Sequence, residues 1–274
     1  MVRRWRCSRV LKMQLIDTHV HLTDPKLPFS VAEAVERANS AGVLQLVCPS
    51  VDLETSRQAV KLAQEFPNQI FAAIGVHPSY AGASFSEFEI LAKEAGVVAI
   101  GEVGLDYHRL SREQVGTPQR EMFVRFLDLA QRTKLPVIIH GRQAYEDILA
   151  VMKDFSSVPV VLHSFEADAE IAKQALDRGW LISLTALITY PDYGWLREVI
   201  AQLPLDRLMV ETDAPYLPPA TNDATERPRG LTNEPANVVA IAERLAIIKK
   251  VSLEEIAQVT TKTAREFFHL PELV

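Results

Sequence analysis

The sequence lacks the features that mark several large classes of protein. Only two cysteines, Cys7 and Cys48, occur in 274 residues, which excludes a disulfide framework and favours a reducing cytoplasm as the setting. No apolar run approaches the roughly 20 residues that span a bilayer, so no membrane association is expected. Neither a glycine-rich phosphate loop nor a lipidation or retention signal is present.

The chain also has no excess of basic charge. Its formal net charge is −6, which argues against a protein that coats nucleic acid through a broad basic field but does not exclude a local phosphate site. Residues 1–12 hold five basic residues and no acid, so the other 262 residues carry −11. We interpret residues 1–12 as a basic, disordered extension or as residues ahead of a natural start at Met13, with a transit peptide or basic anchor as the alternative.

What the sequence does contain is a regular alternation of short apolar runs with longer amphipathic segments. Runs that are apolar at nearly every position are typical of strands buried on both faces. The eight runs are 14–19, 43–48, 70–76, 97–103, 136–140, 159–163, 180–184 and 207–212. Eight β-then-α units predict an α/β fold of the (β/α)8, or TIM-barrel, class, with residues 13–274 as one domain. A doubly wound open sheet is the competing interpretation.

Helix starts between the runs are marked by capping residues. Ser30 and Asp52 are predicted N-caps, and Ser252 followed three residues later by Glu255 has the spacing of a capping box. Pro118 is predicted to stand in the first turn of the helix that follows it, where its missing N–H costs nothing.

Polar side chains stand where the apolar runs end. Asp17, His19 and His21 are spaced by two, so in an extended strand they share a face. Further ionisable residues end or follow other runs: His77, Glu102, His140, His163 and Asp213. In a barrel these ends meet at one rim, although any one histidine there is more often a hydrogen-bonded structural residue.

The set as a whole points to a hydrolytic metal centre. Burying several ionisable groups together is costly unless they are paired or bind metal. Mixed histidine and carboxylate ligands suit Zn, Mn or Fe, and Mg less well. Six potential ligands exceed one tetrahedral site, so two divalent metal ions that share a bridging carboxylate are expected.

Seven motifs in this order resemble the TatD family of metal-dependent deoxyribonucleases, within the amidohydrolase-like barrels. They are IDTHVHL (16–22), GVHPSY (75–80), IGEVGLDY (100–107), IIHGRQA (138–144), VLHSF (161–165), ETDAPYL (211–217) and RG..NEPAN (229–237). The HxH pair alone opens many other metal-dependent hydrolases, but ETDAPYL together with GEVGLD is specific. The resemblance covers nearly the whole chain from residue 15.

The resemblance implies roles for individual residues. The first metal would be held by His19, His21, Glu102 and Asp213, and the second by Glu102, His140 and His163. Glu102 would bridge the two ions, and Asp213 would also orient or deprotonate the attacking water. His77 and Arg142 would bind a substrate phosphate.

One loop departs from the family pattern. The family shows HCFSG or HGFSG after the sixth strand, whereas this chain has HSFEAD at 163–168, which loses a glycine and gains Glu166 and Asp168. This change puts substrate binding in doubt more than metal binding. Asp17 is interpreted as a residue that orients a ligand histidine. Trp195 and Tyr216 are candidates to stack on a base, whereas Trp180 begins a strand and is predicted to be core. Tyr193 and Trp195 are candidates to line the mouth of the site, with packing against the following helix as the alternative.

The leading hypothesis is a deoxyribonuclease that hydrolyses phosphodiesters in an exonuclease-like manner, acting on single-stranded DNA ends or on a small phosphodiester. A cytoplasmic monomer without an obligate protein partner is expected. The alternative is hydrolysis of a small amide or lactone, or deamination, but many such barrels bridge their metals with a carboxylated lysine, and no predicted strand ends in lysine. A non-enzymatic binding module is the third hypothesis, and the near-complete ligand set argues against it.

Overall fold

The computed structural model describes residues 14–80, 85–108, 111–221 and 224–272. The predicted extension 1–12, Met13 and Cys7 lie outside these ranges. Within them, eight parallel strands form one sheet in sequence order. The strands are β1 Leu15–Asp17, β2 Val43–Cys48, β3 Ile70–Ile74, β4 Val97–Asp106, β5 Val137–Arg142, β6 Val160–His163, β7 Leu181–Leu184 and β8 Leu208–Val210.

Helices follow or connect the strands, as the alternating pattern predicts. They are α1 Val31–Ser40, α2 Leu53–Glu65, α3 Phe88–Leu91, α4 Arg112–Thr133, α5 Tyr145–Val151, α6 Ala169–Asp177, α7 Gly194–Gln202, α8 Val238–Lys249 and α9 Leu253–Phe268. The predicted caps Ser30, Asp52 and Ser252 are confirmed, because each side chain accepts a hydrogen bond from a backbone N–H in the first turn of its helix.

The sheet closes nearly into a barrel, which confirms the predicted (β/α)8 class. Beyond the ladders, the Thr18 N–H donates to the Val210 carbonyl at 3.3 Å, and the Asp213 N–H donates to the His19 carbonyl at 2.9 Å. These bonds join the chain that follows β1 to the chain that ends β8. The carboxyl ends of all eight strands therefore surround one rim.

Apolar side chains fill the two sides of the sheet separately. One buried cluster packs between the strands and the surrounding helices. A second fills the barrel interior with residues such as Ile16, Val47 and Ile138, and Phe268 at the end of α9 packs against them. Trp180 and Cys48 are buried as predicted, and burial raises the pKa of the Cys48 thiol to about 12.

The prediction for Pro118 is wrong. Helix α4 begins at Arg112, six residues earlier, and Pro118 lies inside it. The signal that was overlooked is a capping box, since the Gln114 side chain accepts a hydrogen bond from the Ser111 N–H at 2.9 Å. Strand β4 likewise runs three residues beyond the predicted run, to Asp106.

Across the part of the chain that the structure describes, no helix is both long and apolar enough to cross a membrane.

Candidate metal centre

Four side chains converge at the rim of the barrel, two from the chain after β1, one from within β4 and one from the chain after β8, and we call this group site A. The His19 Nε2 atom lies 3.3 Å from His21 Nε2 and 3.4 Å from Glu102 Oε2. Asp213 Oδ1 completes the group at 3.2 Å from His21 Nε2 and 3.6 Å from His19 Nε2. All four are predicted ligands of one metal ion, and the structure brings them together.

The spacing of these four atoms suits a tetrahedral ion. Ligand atoms placed about 2.0–2.1 Å from a zinc ion in a tetrahedron lie about 3.3 Å from one another. Five of the six separations in site A fall between 3.2 and 3.7 Å. Two neutral imidazoles and two carboxylates are also a donor set that zinc, manganese and iron accept. The residues present therefore fit a divalent cation.

The second oxygen of Glu102 faces a different pair of histidines, His140 and His163. We call Glu102, His140 and His163 site B. Glu102 Oε1 lies 2.6 Å from His140 Nδ1 and 3.5 Å from His163 Nε2. The rings of His19 and His163 stack with their centroids 3.6 Å apart, so the two sites are adjacent. One oxygen of Glu102 lies beside the histidines of site A and the other beside the histidines of site B, so its carboxylate has the geometry of a bridging ligand. The ligand roles themselves stay a prediction.

A glycine makes this approach of β4 and β5 possible. Gly104, two residues after Glu102, has a φ of 146°, and a Cβ atom there would lie 2.1 Å from the His140 carbonyl oxygen. Only a residue without a side chain allows the two backbones to lie so close. The contact sets His140 beside Glu102.

The buried charges of the centre keep its carboxylates ionised. Burial alone raises the pKa of Glu102, but the charge of His163, together with hydrogen bonds from His140 and His19, outweighs it and holds the pKa well below its usual range. Burial lowers the pKa of His163, but the charges of Glu211 and Glu102 outweigh it and raise the pKa to about 10. In the metal-free protein His163 is therefore protonated, and a metal ion must displace that proton.

Two carboxylates that the sequence analysis missed hold the histidines of site B. Glu211 Oε1 lies 2.7 Å from His163 Nδ1, and Asp106 Oδ2 lies 3.0 Å from His140 Nε2. Each histidine thus points one ring nitrogen at Glu102 and the other at its own carboxylate, which fixes the ring and its tautomer. Both acids lie within the motifs at 100–107 and 211–217, and Asp106 shares a strand face with Glu102.

Asp106, His140 and His77 are also close enough to form a metal-binding group of their own. His140 would then bind two ions through both ring nitrogens, because its Nδ1 already faces Glu102. A ring that serves one ion and one carboxylate keeps its Nε2 proton and needs no such bridge. We therefore assign Asp106 to the orientation of His140.

Asp17, which was expected to orient a ligand histidine, contacts His19 through the backbone and not through the ring. Its carboxylate accepts hydrogen bonds from the Thr212 N–H at 2.9 Å, the Thr212 hydroxyl at 2.5 Å and the His19 N–H at 3.3 Å. Among the described residues, the buried Nδ1 atom of the His19 ring has no hydrogen-bond partner. Asp17 instead ties the backbone after β1 to the backbone after β8, and so sets the distance between His19 and Asp213.

Asp213 itself stands in an unusual backbone conformation. Its φ is 57°, in the left-handed region that a residue with a side chain seldom adopts. The hydrogen bond from its N–H to the His19 carbonyl holds this conformation. Such strain persists at functional sites where the surrounding structure imposes it. Here it directs the carboxylate at the two histidines of site A.

The two predicted phosphate-binding residues lie at the same opening. His77 and Arg142 line a cavity of about 500 Å³, which we call the metal cavity, together with His21, Glu102, His140, His163 and Asp213. His77 Nε2 lies 3.9 Å from Glu102 Oε1. Arg142 is exposed at the end of β5 and forms no ion pair with any residue in the described ranges. Seven of the eight predicted site residues line the metal cavity. The eighth, His19, is fully buried and does not line it.

Comparison with known proteins agrees with this geometry. The family model described as TatD related DNase matches residues 16–269. The chain belongs to the TatD family. A metal-dependent hydrolase named TatD from Mycobacterium tuberculosis is 37% identical over 266 residues, covering 93% of this chain and 98% of that protein.

Two other TatD proteins extend the comparison. The 3'-5' ssDNA/RNA exonuclease TatD of Salmonella typhimurium is 33% identical over 265 residues, covering 93% of this chain and 99% of that protein. The crystal structure of YJJV, a TatD homologue from Escherichia coli K12, has a TM-score of 0.84 and 30% identity, with 95% of this chain and all of that chain covered. The fold and the metal-dependent hydrolase family are thereby established.

The loop that departs from the TatD pattern is accommodated without its glycine. Ala167 replaces the glycine and is absent from the described residues with positive φ, whereas Ser164 has a φ of 44°. Asp168 caps α6 by accepting a hydrogen bond from the Ile171 N–H at 2.9 Å. Glu166 accepts a hydrogen bond from the Tyr193 hydroxyl at 2.5 Å. One added acid is thus structural, and the other faces the mouth of the barrel.

Proposed function

We propose that this TatD protein is a divalent-metal-dependent nuclease that hydrolyses phosphodiesters at the ends of single-stranded nucleic acid. The observation that carries the proposal is the division of Glu102 between two ligand groups, because a pair of adjacent cations suits phosphoryl chemistry. The names of the Salmonella relative and of a similar protein from Edwardsiella piscicida, both 3'-5' ssDNA/RNA exonucleases, support this substrate class.

When bound at the side chains of sites A and B, the cations would lower the pKa of a bound water molecule and neutralise charge on the phosphate. Asp213 is the residue placed to take the proton of that water. Its side chain is 15% exposed, against 0% for His19 and 3% for Glu102. Hydrogen bonding from His21 and the charge of His163 outweigh burial and lower the pKa of Asp213, so it is ionised and able to orient the water.

His77 presents a neutral hydrogen-bond donor to the substrate. Its Nδ1 atom accepts a hydrogen bond from the Ser79 N–H at 3.1 Å, so the ring proton resides on Nε2, which faces the metal cavity. Burial lowers the pKa of His77 to about 4, which keeps the ring neutral at physiological pH. A phosphate oxygen would accept from Nε2 while the Arg142 guanidinium binds another oxygen.

The reaction that follows is an attack of water oxygen on phosphorus. The bond from phosphorus to the leaving ester oxygen breaks, the proton of the water passes to Asp213, and the leaving oxygen takes a proton from solvent. Hydrolysis of an amide or lactone is less well supported, because none of the described strands contains the lysine that bridges metals in many such enzymes. Glu102 stands in its place.

The test is a nuclease assay on end-labelled single- and double-stranded DNA, with amide and lactone substrates as further arms. The wild-type protein should shorten single strands when loaded with Mn²⁺, Zn²⁺ or Mg²⁺ and lose activity in EDTA. Glu102→Ala should retain the circular dichroism spectrum but lose most bound metal and at least ~100-fold of the rate. Glu65→Ala, an exposed change at the end of α2, is the control. Hydrolysis of only the amide or lactone arms would contradict the proposal.

A further inference from the structure

A second cavity opens beside the metal cavity. It has a volume of about 560 Å³ and lies between the loops that follow β4, β5 and β6 and the start of α7, and we call it the side groove. Arg142 lines both the metal cavity and the side groove. A substrate whose phosphate is held by Arg142 therefore has the side groove directly beside it.

One wall of the side groove is an exposed aromatic ring. Trp195, in the first turn of α7, is 44% exposed, which is a large accessible fraction for tryptophan. Its ring packs against Tyr193 with the centroids 5.9 Å apart, which supports it from behind. A flat, supported indole that faces a groove is the kind of surface on which nucleobases stack.

The charge of the side groove is opposite to that of a phosphate-binding channel. Its second arginine, Arg112, is bound by the Asp147 carboxylate at 2.7 Å and is thereby neutralised. Three further carboxylates line the side groove and form no ion pair with any residue that the structure describes: Glu146, Glu166 and Asp168. A phosphate beyond Arg142 would meet like charge, whereas sugar hydroxyls and base amino groups would find acceptors.

We propose that the side groove binds the terminal nucleoside of the substrate chain, and that its carboxylates exclude a chain whose end carries a phosphate. The terminal base stacks on Trp195, and the free terminal hydroxyl donates a hydrogen bond to Glu166, which the Tyr193 hydroxyl holds in place. This inference rests on the proposed nuclease function and defines which chain ends that function accepts. Glu166 is accordingly a specificity residue rather than a catalytic one.

The experiment compares single-stranded oligonucleotides of one sequence that end in a 3'-hydroxyl or a 3'-phosphate, with 5'-hydroxyl and 5'-phosphate versions as a second pair. One of the two pairs carries its variable group at the end that the enzyme degrades. In that pair, we expect kcat/KM of the wild-type enzyme to be at least ~10-fold higher for the hydroxyl end than for the phosphate end. Glu166→Gln should reduce that ratio at least ~3-fold. Glu170→Gln removes the same charge from the neighbouring helix, outside the side groove, and should leave the ratio unchanged.

Binding of the uncharged nucleoside gives a second readout. Thymidine should quench the fluorescence of Trp195 in the metal-loaded protein, thymidine 3'-phosphate should do so at least ~10-fold more weakly, and Trp195→Phe should abolish the signal. Equal cleavage of hydroxyl and phosphate ends would overturn the side-groove proposal and leave the nuclease function standing. Thymidine binding without cleavage of any oligonucleotide would contradict the nuclease function and retain the nucleoside site.

Discussion

The Nδ1 atom of His163 lies 2.7 Å from the Oε1 atom of Glu211, and both side chains are buried. The same carboxylate oxygen accepts a hydrogen bond from the Ser164 N–H at 2.7 Å. Glu211 therefore holds the ring, and the backbone beside it, so that Nε2 faces Glu102. Asp106 does the same for His140 from the neighbouring strand. Glu211 and Asp106 thus hold the two histidines of site B so that one ring nitrogen of each faces Glu102.

Glu211→Gln should weaken metal binding more than it disturbs the fold. Glutamine keeps the size of the side chain but removes the charge that stabilises His163 in its metal-binding orientation. Loss of such a partner raises a metal dissociation constant about 10- to 100-fold. Competition with a chromophoric chelator measures the affinity of each site, and circular dichroism checks the fold. Glu65→Gln, an exposed change far from the rim, should bind metal like the wild type. An unchanged affinity in Glu211→Gln would remove the positioning role.

Arg142→Ala should impair substrate binding without loss of metal. The guanidinium is exposed at the end of β5 and is not part of either ligand group. We expect KM for a single-stranded oligonucleotide to rise about tenfold with kcat within about twofold, because a contact made equally in the ground and transition states affects KM alone. The metal content should stay at the wild-type value. Arg207→Ala, an exposed change before β8, is the control, and a fall in bound metal in Arg142→Ala would contradict the assignment.

His77 should make the metal-free protein sensitive to acid. The pKa of its ring is about 4 in the folded state and about 6.5 in the unfolded state, so the unfolded chain binds the proton more tightly. The contribution of His77 to the free energy of unfolding therefore falls as the pH is lowered from 6.5 towards 4, and this contribution changes no further below 4.

Urea unfolding of the EDTA-treated protein measures this effect. Between pH 6.5 and pH 4.5 the wild-type protein should lose about 2 to 3 kcal/mol more stability than His77→Gln. His269→Gln is the matched control, because that histidine is exposed at the end of α9. If His77→Gln and the wild type lost stability in parallel over this range, the neutral state of His77 would be the wrong assignment.

Much of the fold, and the convergence of the six predicted ligand residues at one rim, could be predicted because both depend on local patterns. Each buried parallel strand is an apolar run, and a barrel brings the end of every run to one rim whatever the loops do. His140 and His163 end adjacent apolar runs of the sequence and are paired in the sheet register. The order of the strands therefore predicts that they lie near β4, and the close approach at Gly104 brings His140 to Glu102.

What could not be predicted depends on contacts between distant segments. Glu211 differs from a buried structural acid only through its partner His163, which is 48 residues away. Asp17 was expected to orient a ligand histidine, but nothing local indicates that its main partner is Thr212, 195 residues away, which hydrogen-bonds to both of its oxygens. The length of β4 could not be predicted either. Its last three residues pair with His140, Gly141 and Arg142 at the end of β5, which are not part of an apolar run.

Gly104→Ala should weaken both the fold and site B. A second glycine with a positive φ, Gly179, distinguishes the effect of backbone strain from the effect of a steric clash. At Gly104 the added Cβ would meet the His140 carbonyl oxygen at 2.1 Å, in addition to the strain of a φ of 146°. Gly179 also has a positive φ, of 78°, but nothing lies within 4 Å of its Cβ position. Gly179→Ala therefore reports backbone strain alone, which costs about 1 kcal/mol.

Gly104→Ala should lower the free energy of unfolding by at least about 2 kcal/mol more than Gly179→Ala does, because β4 and β5 must move apart. That movement carries His140 away from Glu102, so the affinity of site B should fall while site A, which does not use β5, keeps its affinity. Urea unfolding and metal titration of the two variants measure both effects. Equal losses of stability in the two variants, with site B intact, would show that the close approach of β4 and β5 does not set the metal centre.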